Sequence, residues 1–361
     1  MADIDSLLRI NLNQPSKLLG LCTSRGTRSS NEDYYSAVTL ELEYSQFKMN
    51  KEANRAYFGI FDGHGGTVAS QWLANHLHEH IESVTLDNFS RVLEFLRAYR
   101  GYFRRFPIPA VLKDVIDNNG NPKTENISDL TVEQRLTLAF LEADTQCLTQ
   151  LGNESEGGST GSVAIVEPRD TKAFWESDEY DIVVGHVGDT RILLCDAQSG
   201  EVVSLSTGDH HPGNPIEVDR LRKYAGFVTT DSWGDERIMG MLATSRAFGD
   251  AKLKKYGVSA EPDVVRYKIR KANPAAFMVL VTDGISSVLS DQEVVDIVKQ
   301  HNEPSKSAQK VVDTADQLQS EDNITAMVVR LKDWGKRMHD YTHELRSYRL
   351  ENSTMSRRQT W

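Results

Sequence analysis

Two apolar runs in this chain end abruptly in an aspartate followed by a glycine. Residues 58 to 66 read F-G-I-F-D-G-H-G-G, and residues 277 to 284 read F-M-V-L-V-T-D-G. A buried strand that stops at a carboxylate presents its oxygens at the rim of a sheet. The glycine behind it lets the backbone turn close to an ion or ligand. Asp62 and Asp283 are therefore candidate ligands of a hard metal ion.

Strand polarity enlarges the set. Asn31-Glu32-Asp33 precedes the strand-like run Tyr34 to Leu40, and Asp62 closes the next run, Ala56 to Phe61. If the two pair antiparallel, the start of one lies beside the end of the other, and Glu32, Asp33 and Asp62 share one rim. The same argument joins Asp283, which ends a strand, to Asp322 in S-E-D-N-I, which starts the next. Carboxylates crowded without a counter-charge repel and retain protons, unless metal ions neutralise them. All-oxygen ligands select Mg2+ or Mn2+ over zinc or copper. Two such ions about 4 Å apart can hold a bridging hydroxide as the nucleophile of an in-line phosphoryl displacement. Arg28, a few residues before Asp33, offers a planar fork for phosphate oxygens. His64, next to Asp62 and Gly63, could protonate a leaving alkoxide.

The elements that must position these residues are legible in outline. β-rich runs occupy 34–40, 56–61, 162–166, 181–187, 191–195, 201–205, 277–281 and 324–331. Helical periods run through 68–81 and 133–151, with further helices expected at 215–225, at 291–300 with Ser290 as N-cap, and at 305–319. Strands come in hairpin-like pairs and helices in separate blocks, which favours an α+β fold of antiparallel sheet with helices outside. The simplest division is an extension over 1–17, one domain over 18–332, and a solvated helix and tail over 333–361. The stretch 101–130 reads as an irregular connection that could vary without touching the core.

Composition narrows the function classes. The 361 residues are 39% hydrophobic and 26% charged, as in a globular protein. A net charge of -11 argues against nucleic acid as partner and suits a site that concentrates divalent cations. No run approaches the roughly 20 apolar residues of a membrane span, and the acidic M-A-D-I-D-S start is unlike a targeting segment. Cys22, Cys147 and Cys195 have no metal-like spacing, and free thiols fit a reducing compartment. A soluble protein inside the cell is expected, and a monomer.

Other chemistries fit the residues less well. Cys22 and Arg28 form a C-x5-R spacing like that of cysteine-dependent phosphatases, but Arg25 stands where that loop needs glycine and Leu21 where it carries histidine. His76, His78 and His80 suggest a zinc site without a nearby third ligand, so a solvated helix edge is the simpler reading. His210 and His211 read as structural.

The motif order resembles the metal-dependent protein phosphatases of type 2C, which remove phosphate from serine and threonine of proteins. The likeness runs from about Arg25 to Leu331 through R-x-x-N-E-D at 28–33, D-G-H-G-G at 62–66, G-S-T-G-S at 158–162, V-G-D-T-R at 187–191 and D-H-x-P at 209–212. It continues through S-R-A-F-G-D at 245–250, E-P-D at 261–263, T-D-G at 282–284 and E-D-N-I-T at 321–325. The resemblance implies a four-layer α-β-β-α sandwich of two antiparallel sheets, with phosphoproteins as substrates and residues 206–260 as a flap. It implies that Asp62 bridges two metals, that the Gly63 carbonyl binds one, and that Asp283 and Asp322 complete the ion set. Glu32 and Asp33 would act directly or through water, Arg28 would hold substrate phosphate, and His64 would be the general acid. Asp189 matches a ligand of a third metal, but Ser287 stands where relatives often carry an acid, so a third ion should bind weakly or not at all. That departure also leaves open a weakly active or silent protein with a binding role. The pattern S-R-x-x-R-x-x-N-x-D-x-Y-S at 24–36 looks like that of fungal mitochondrial members.

Overall fold

The protein is represented by a computed structural model. Residues 17–42, 55–86, 89–98, 108–117, 121–123, 130–152, 157–224, 226–230, 234, 236–335 and 339–353 are described. Nearly all of the expected N-terminal extension and much of the 101–130 connection lie outside them. In chain order come β1 (Leu19–Ser24), β2 (Tyr34–Leu40), β3 (Arg55–Phe61), β4 (Gly63–His64), α1 (Val68–Ser83), α2 (Phe89–Ala98) and α3 (Val132–Leu151). Then follow β5 (Gly158–Ser159), β6 (Gly161–Pro168), β7 (Tyr180–Val187), β8 (Arg191–Asp196), β9 (Val202–Ser204) and α4 (Pro215–Arg222). The chain continues through β10 (Val228–Thr230), β11 (Glu236–Ile238), β12 (Phe248–Gly249), α5 (Ala251–Lys254), β13 (Asp263–Ile269) and β14 (Ala275–Val281). It ends with α6 (Asp283–Ser286), α7 (Asp291–Lys299), α8 (Pro304–Gln317), β15 (Ile324–Arg330) and α9 (His343–Glu351).

Two five-stranded antiparallel sheets form the centre, in the orders β13-β7-β6-β3-β2 and β1-β15-β14-β8-β9. Side chains alternate across each strand, so β3 sends Phe58 and Ile60 between the sheets and Tyr57 and Phe61 toward the helices. Phe58, Ile182 and Val184 of the first sheet share one core with Met278, Leu280 and Met327 of the second. On the outer face of the first sheet, Leu73 and Leu77 of α1 and Leu136 and Phe140 of α3 pack against Val163 and Val183. On the outer face of the second, Val294 and Val298 of α7 and Val311 and Ala315 of α8 pack against Val279 and Val328. This is the expected four-layer sandwich. Both faces of the inner strands are covered, which is why F-G-I-F and F-M-V-L-V read as unbroken apolar runs rather than alternating ones.

The helix signals hold at the caps. Ser290 accepts from the Glu293 amide in a reciprocal capping box that starts α7, and Thr131 does the same with Gln134 at α3. Several elements are not expected from the sequence. Of these, β13 is an edge strand of sequence D-V-V-R-Y-K-I that is mostly half-buried and carries no strong period, whereas α2 buries Phe89, Leu93 and Leu96 at helical spacing.

Two expectations are corrected. The described part of the 101–130 connection does touch the core, because Ile108, Leu112 and Ile116, spaced by four, are buried in the α1/α3 layer. The C-terminal helix is docked rather than simply solvated. Arg349 of α9 donates to the buried Glu293 at 2.8 Å, and Asp296 accepts from Tyr341 N and Thr342 Oγ1, each at 2.9 Å. Among the described residues no helix is long and apolar enough to cross a membrane.

Candidate active site

The two rims meet at one end of the sandwich. β2 and β3 pair antiparallel with Tyr34 opposite Phe61, which sets Asp33 and Asp62 side by side beyond the last pair. β14 and β15 pair antiparallel with Val281 opposite Ala326, which does the same for the segments carrying Asp283 and Asp322. Asp33 then spans the sheets, since its Oδ2 accepts from Thr282 Oγ1 at 3.0 Å and Thr325 Oγ1 at 2.6 Å.

A cleft of about 530 Å³ opens over this rim and is lined by Arg28, Glu32, Asp62, Gly63, His64, Asp189, Asp283 and Asp322 among others. All but one of the sequence-selected residues therefore line one space, and Asp33 lies buried directly behind it. Gly63 is required there, because a Cβ would sit 2.5 Å from both the Glu32 carbonyl and Ser70 Oγ. Asp189 sits on the β7–β8 turn, which Gly188 makes with a φ of 104°. His210 fixes that turn by accepting from the Gly188 amide at 2.9 Å.

The electrostatics are those of a crowded anionic site. Burial pushes Asp33 up to about 7, with Asp283 and Asp322 adding to the rise and the two threonine hydroxyls opposing it. Burial and then the charges of Asp283 and Asp209 push Asp189 up to about 8. Asp62 rises well above the carboxylate range through burial and the charges of Asp283, Asp33 and Asp189. Asp283 is raised by burial and by Asp322. Asp33 Oδ1 and Asp283 Oδ1 are buried without a hydrogen-bond partner.

Orphaned carboxylate oxygens in an all-oxygen set that burial forces to hold protons fit a hard divalent cation. Among the described residues no three His, Cys, Asp or Glu side chains close on a single point. Two of the acids have both oxygens engaged: Glu32 accepts from the Gly66 amide at 3.1 Å and from Ser30 Oγ at 3.3 Å, and Asp322 accepts from the Asn323 amide at 2.8 Å and from Arg28 Nη2 at 2.7 Å.

The cations of the cleft are held in place. Arg28 donates through Nη2 to Asp322 at 2.7 Å and through Nε to the Glu321 carbonyl at 3.1 Å. His64 Nε2 lies 2.9 Å from each oxygen of Asp250, a buried residue in the left-handed region with a φ of 50°. Burial lowers the His64 pKa, but the charge and hydrogen bond of Asp250 outweigh it and leave the group raised. Ser287 caps α6, its amide donating to the Asp283 carbonyl at 2.8 Å, and its side chain is exposed.

Three positioning residues lie inside the quoted motifs without anything in the sequence to mark their roles. Asp250 stands inside the S-R-A-F-G-D motif with nothing to mark its role. Asn323 accepts from the Glu32 amide and donates to the Arg25 and Ser30 carbonyls, so it joins the two rims through backbone. Thr325 anchors Asp33. No side-chain type distinguishes these residues, because their work depends on contacts far apart in sequence. Two further motif residues, Arg246 and Asp263, join an ion-pair cluster: Glu217, held down to about 2 against its burial by Arg220 and Arg246, binds both arginines, and Arg246 also reaches Asp263.

The rival sites dissolve. Cys22 pairs with Ala326 inside β1, its thiol is pushed up by burial and Asp313, and Arg28 is engaged elsewhere. His76 stacks on Trp72 with its Nδ1 2.9 Å from the Trp72 carbonyl, and His80 faces Glu142.

Comparison with known proteins agrees. The family described as protein phosphatase 2C matches residues 19–324. Protein phosphatase 2C homolog 4 of Schizosaccharomyces pombe is 36% identical over 349 residues, covering 94% of this chain and 87% of its own. The mitochondrial protein phosphatase 1K of Xenopus laevis is 30% identical, covering 88% of this chain and 69% of its own. A solved serine-threonine phosphatase 2C from Toxoplasma gondii superposes with a TM-score of 0.60 at 26% identity, over 86% of this chain and 94% of that one. On this sequence match, this sandwich and this rim of acids, the chain belongs to the protein phosphatase 2C family.

Proposed function

We propose that the chain removes phosphate from phosphoserine and phosphothreonine of proteins in a metal-dependent reaction, at the rim where its two sheets meet. The observation that carries this reading is the pairing of Asp33 with Asp62 on one sheet and of Asp283 with Asp322 on the other, laced together by Thr282 and Thr325. The family is metal-dependent; two ions of Mg2+ or Mn2+ are our assignment, with Asp62, the Gly63 carbonyl, Asp283 and Asp322 as direct ligands and Asp33 and Glu32 acting directly or through water. When bound, such cations neutralise the crowded carboxylates, acidify water and polarise phosphate oxygens.

The chain's own groups do the rest. Arg28 keeps its charge at the mouth and orients phosphate oxygens. His64 supplies the proton to the departing serine or threonine oxygen. With Nε2 turned to Asp250, Nδ1 is the ring nitrogen left to serve the leaving group. Asp189 has lost a partner acid to Ser287, so we assign it a weak third site at most. Nothing in the site favours the silent binding module or a Cys22 nucleophile.

We also keep one catalytic domain over 18–332 with 206–260 as its flap, acting as a monomer. Similarity to a mitochondrial phosphatase leaves the mitochondrial matrix and the cytoplasm as the compartments to separate by fractionation. The test of function is hydrolysis of a small aryl phosphate with Mn2+ or Mg2+, with and without chelator, beside Asp62→Asn. Activity that chelator removes and Asp62→Asn abolishes is expected; equal activity in both proteins would sink the metal mechanism.

A further inference from the structure

We propose that Arg237 and the turn that follows it form a subsite for an anionic group carried by the substrate beside its scissile phosphoester, either a carboxylate side chain or a second phosphate. The proposal rests on the phosphatase reading above and adds to it a class of preferred sequence.

The flap presents this arginine on a rigid mount. β10 and β11 form a two-stranded hairpin in which Ile238 is fully buried against Leu221, Ala247, Leu253 and Val258. Alternation along β11 then turns the neighbouring Arg237 outward, and it lines the same cleft as Asp62, His64 and Asp283. The chain reverses at once through Met239 and Gly240, whose φ values are 54° and 74°. Two successive positive φ angles are those of a tight two-residue turn of type I′, closed here by Met241 N to the Ile238 carbonyl at 2.9 Å. A methionine in that region is strained, and such strain persists where the surroundings impose it. Its effect is to fold Met241 and Leu242 back beside Arg237, whose Nη1 lies 3.5 Å from the Met241 carbonyl.

The composition of that wall indicates the occupant. Met241, Leu242 and Ala243 line the same cleft as Arg237, and Met241 remains about half exposed, at 48%. An apolar border excludes water and strengthens a charge-assisted hydrogen bond to a guanidinium. The other arginine of the cleft, Arg28, donates to Asp322 and to the Glu321 carbonyl. An extended peptide advances about 3.3–3.6 Å per residue, so scanning three positions on either side of the phosphoserine covers about 10 Å of approach to Arg237.

The test compares kcat/KM for a phosphoserine peptide with alanine neighbours against versions carrying Glu, a second phosphoserine, or Lys within three positions on either side. The Glu and phosphoserine versions separate the two sources of negative charge. Taking the ratio within each protein cancels any general loss of activity. Wild type should favour at least one anionic peptide by about tenfold, mainly through KM. Arg237→Ala should bring that ratio to about one, and Arg237→Glu should invert it in favour of the Lys peptide. A wild-type ratio near one, or a preference that survives Arg237→Ala, would overturn the subsite. Failure of the wild type to hydrolyse an aryl phosphate with metal would instead overturn the phosphatase reading beneath it.

Discussion

His64 Nε2 sits 2.9 Å from both carboxylate oxygens of Asp250, and Asp250 reaches that position only by adopting a backbone φ of 50°. A backbone held in a costly conformation to place two oxygens on one nitrogen fixes both the aim of the ring and its proton. Asn tolerates the left-handed region, so Asp250→Asn should fold while losing the charge. Because that charge raises the His64 pKa, its removal should move the alkaline limb of the kcat profile to lower pH. The loss should be about ten- to a hundredfold for phosphoserine peptides, whose leaving alkoxide needs a proton, and much smaller for an aryl phosphate. Profiles on both substrates check this, and an unmoved limb removes Asp250 from the mechanism.

Cation binding should release protons. Asp33 at about 7 is about half protonated at neutral pH and Asp189 at about 8 mostly so, and a cation must displace those protons to use the oxygens. Affinity for Mn2+ should therefore weaken as pH falls below about 7, by about tenfold per unit for each proton displaced. Calorimetry in two buffers of different ionisation enthalpy counts the protons directly. Buffer-independent heats would contradict the raised carboxyl groups.

Ser287 offers a gain-of-function measurement. Its amide closes α6 on the Asp283 carbonyl, so its side chain stands one turn from a candidate ligand. Ser287→Asp restores the missing acid and should raise activity or lower the metal concentration that gives half-maximal rate. If neither moves, the loss of an acid at this position does not explain a weak third site.

Acid should unfold the protein through two buried groups, His186 and Glu217. Burial and the neighbouring His210 lower His186 to about 3, so below about 6.5 the unfolded chain takes a proton that the folded chain refuses, and stability falls. Glu217 is held down to about 2, so the stability it contributes is present above about 4.5 and is lost as pH falls toward 2. Both groups act in the same direction. Glu217→Gln, which leaves Arg220 and Arg246 without their shared carboxylate, should cost about 3–5 kcal/mol in urea unfolding near neutral pH and flatten the acid limb below pH 5.

How much of the site and fold is legible in the sequence depends on how local each signal is. Asp33 and Asp62 can be joined from the residue order alone, because a hairpin of two adjacent strands determines which ends meet. Asp283 and Asp322 need only one further antiparallel pair. Asp250 cannot be found that way, since nothing in G-D says that its carboxylate crosses to a histidine 186 positions earlier. β13 escapes for a related reason: an edge strand with half-buried, charged residues has neither the apolar run of β14 nor a clean alternation. The docking of α9 is hidden in Glu293, whose type announces a helix cap and whose second role, gripping Arg349, depends on a segment more than fifty residues away.

Asp33 belongs to the first sheet, Asp283 to the second, and the threonines that hold Asp33 belong to the second as well. The sandwich therefore works as a caliper. Its jaws are the strand ends, and its setting is the thickness of the layer formed by Phe58, Ile182, Met278 and Met327. The bulk of side chains that never meet a substrate thus fixes how far apart the acids stand, and trimming Met278 to alanine should reach the chemistry as an altered gap between ligands, read as weaker metal affinity.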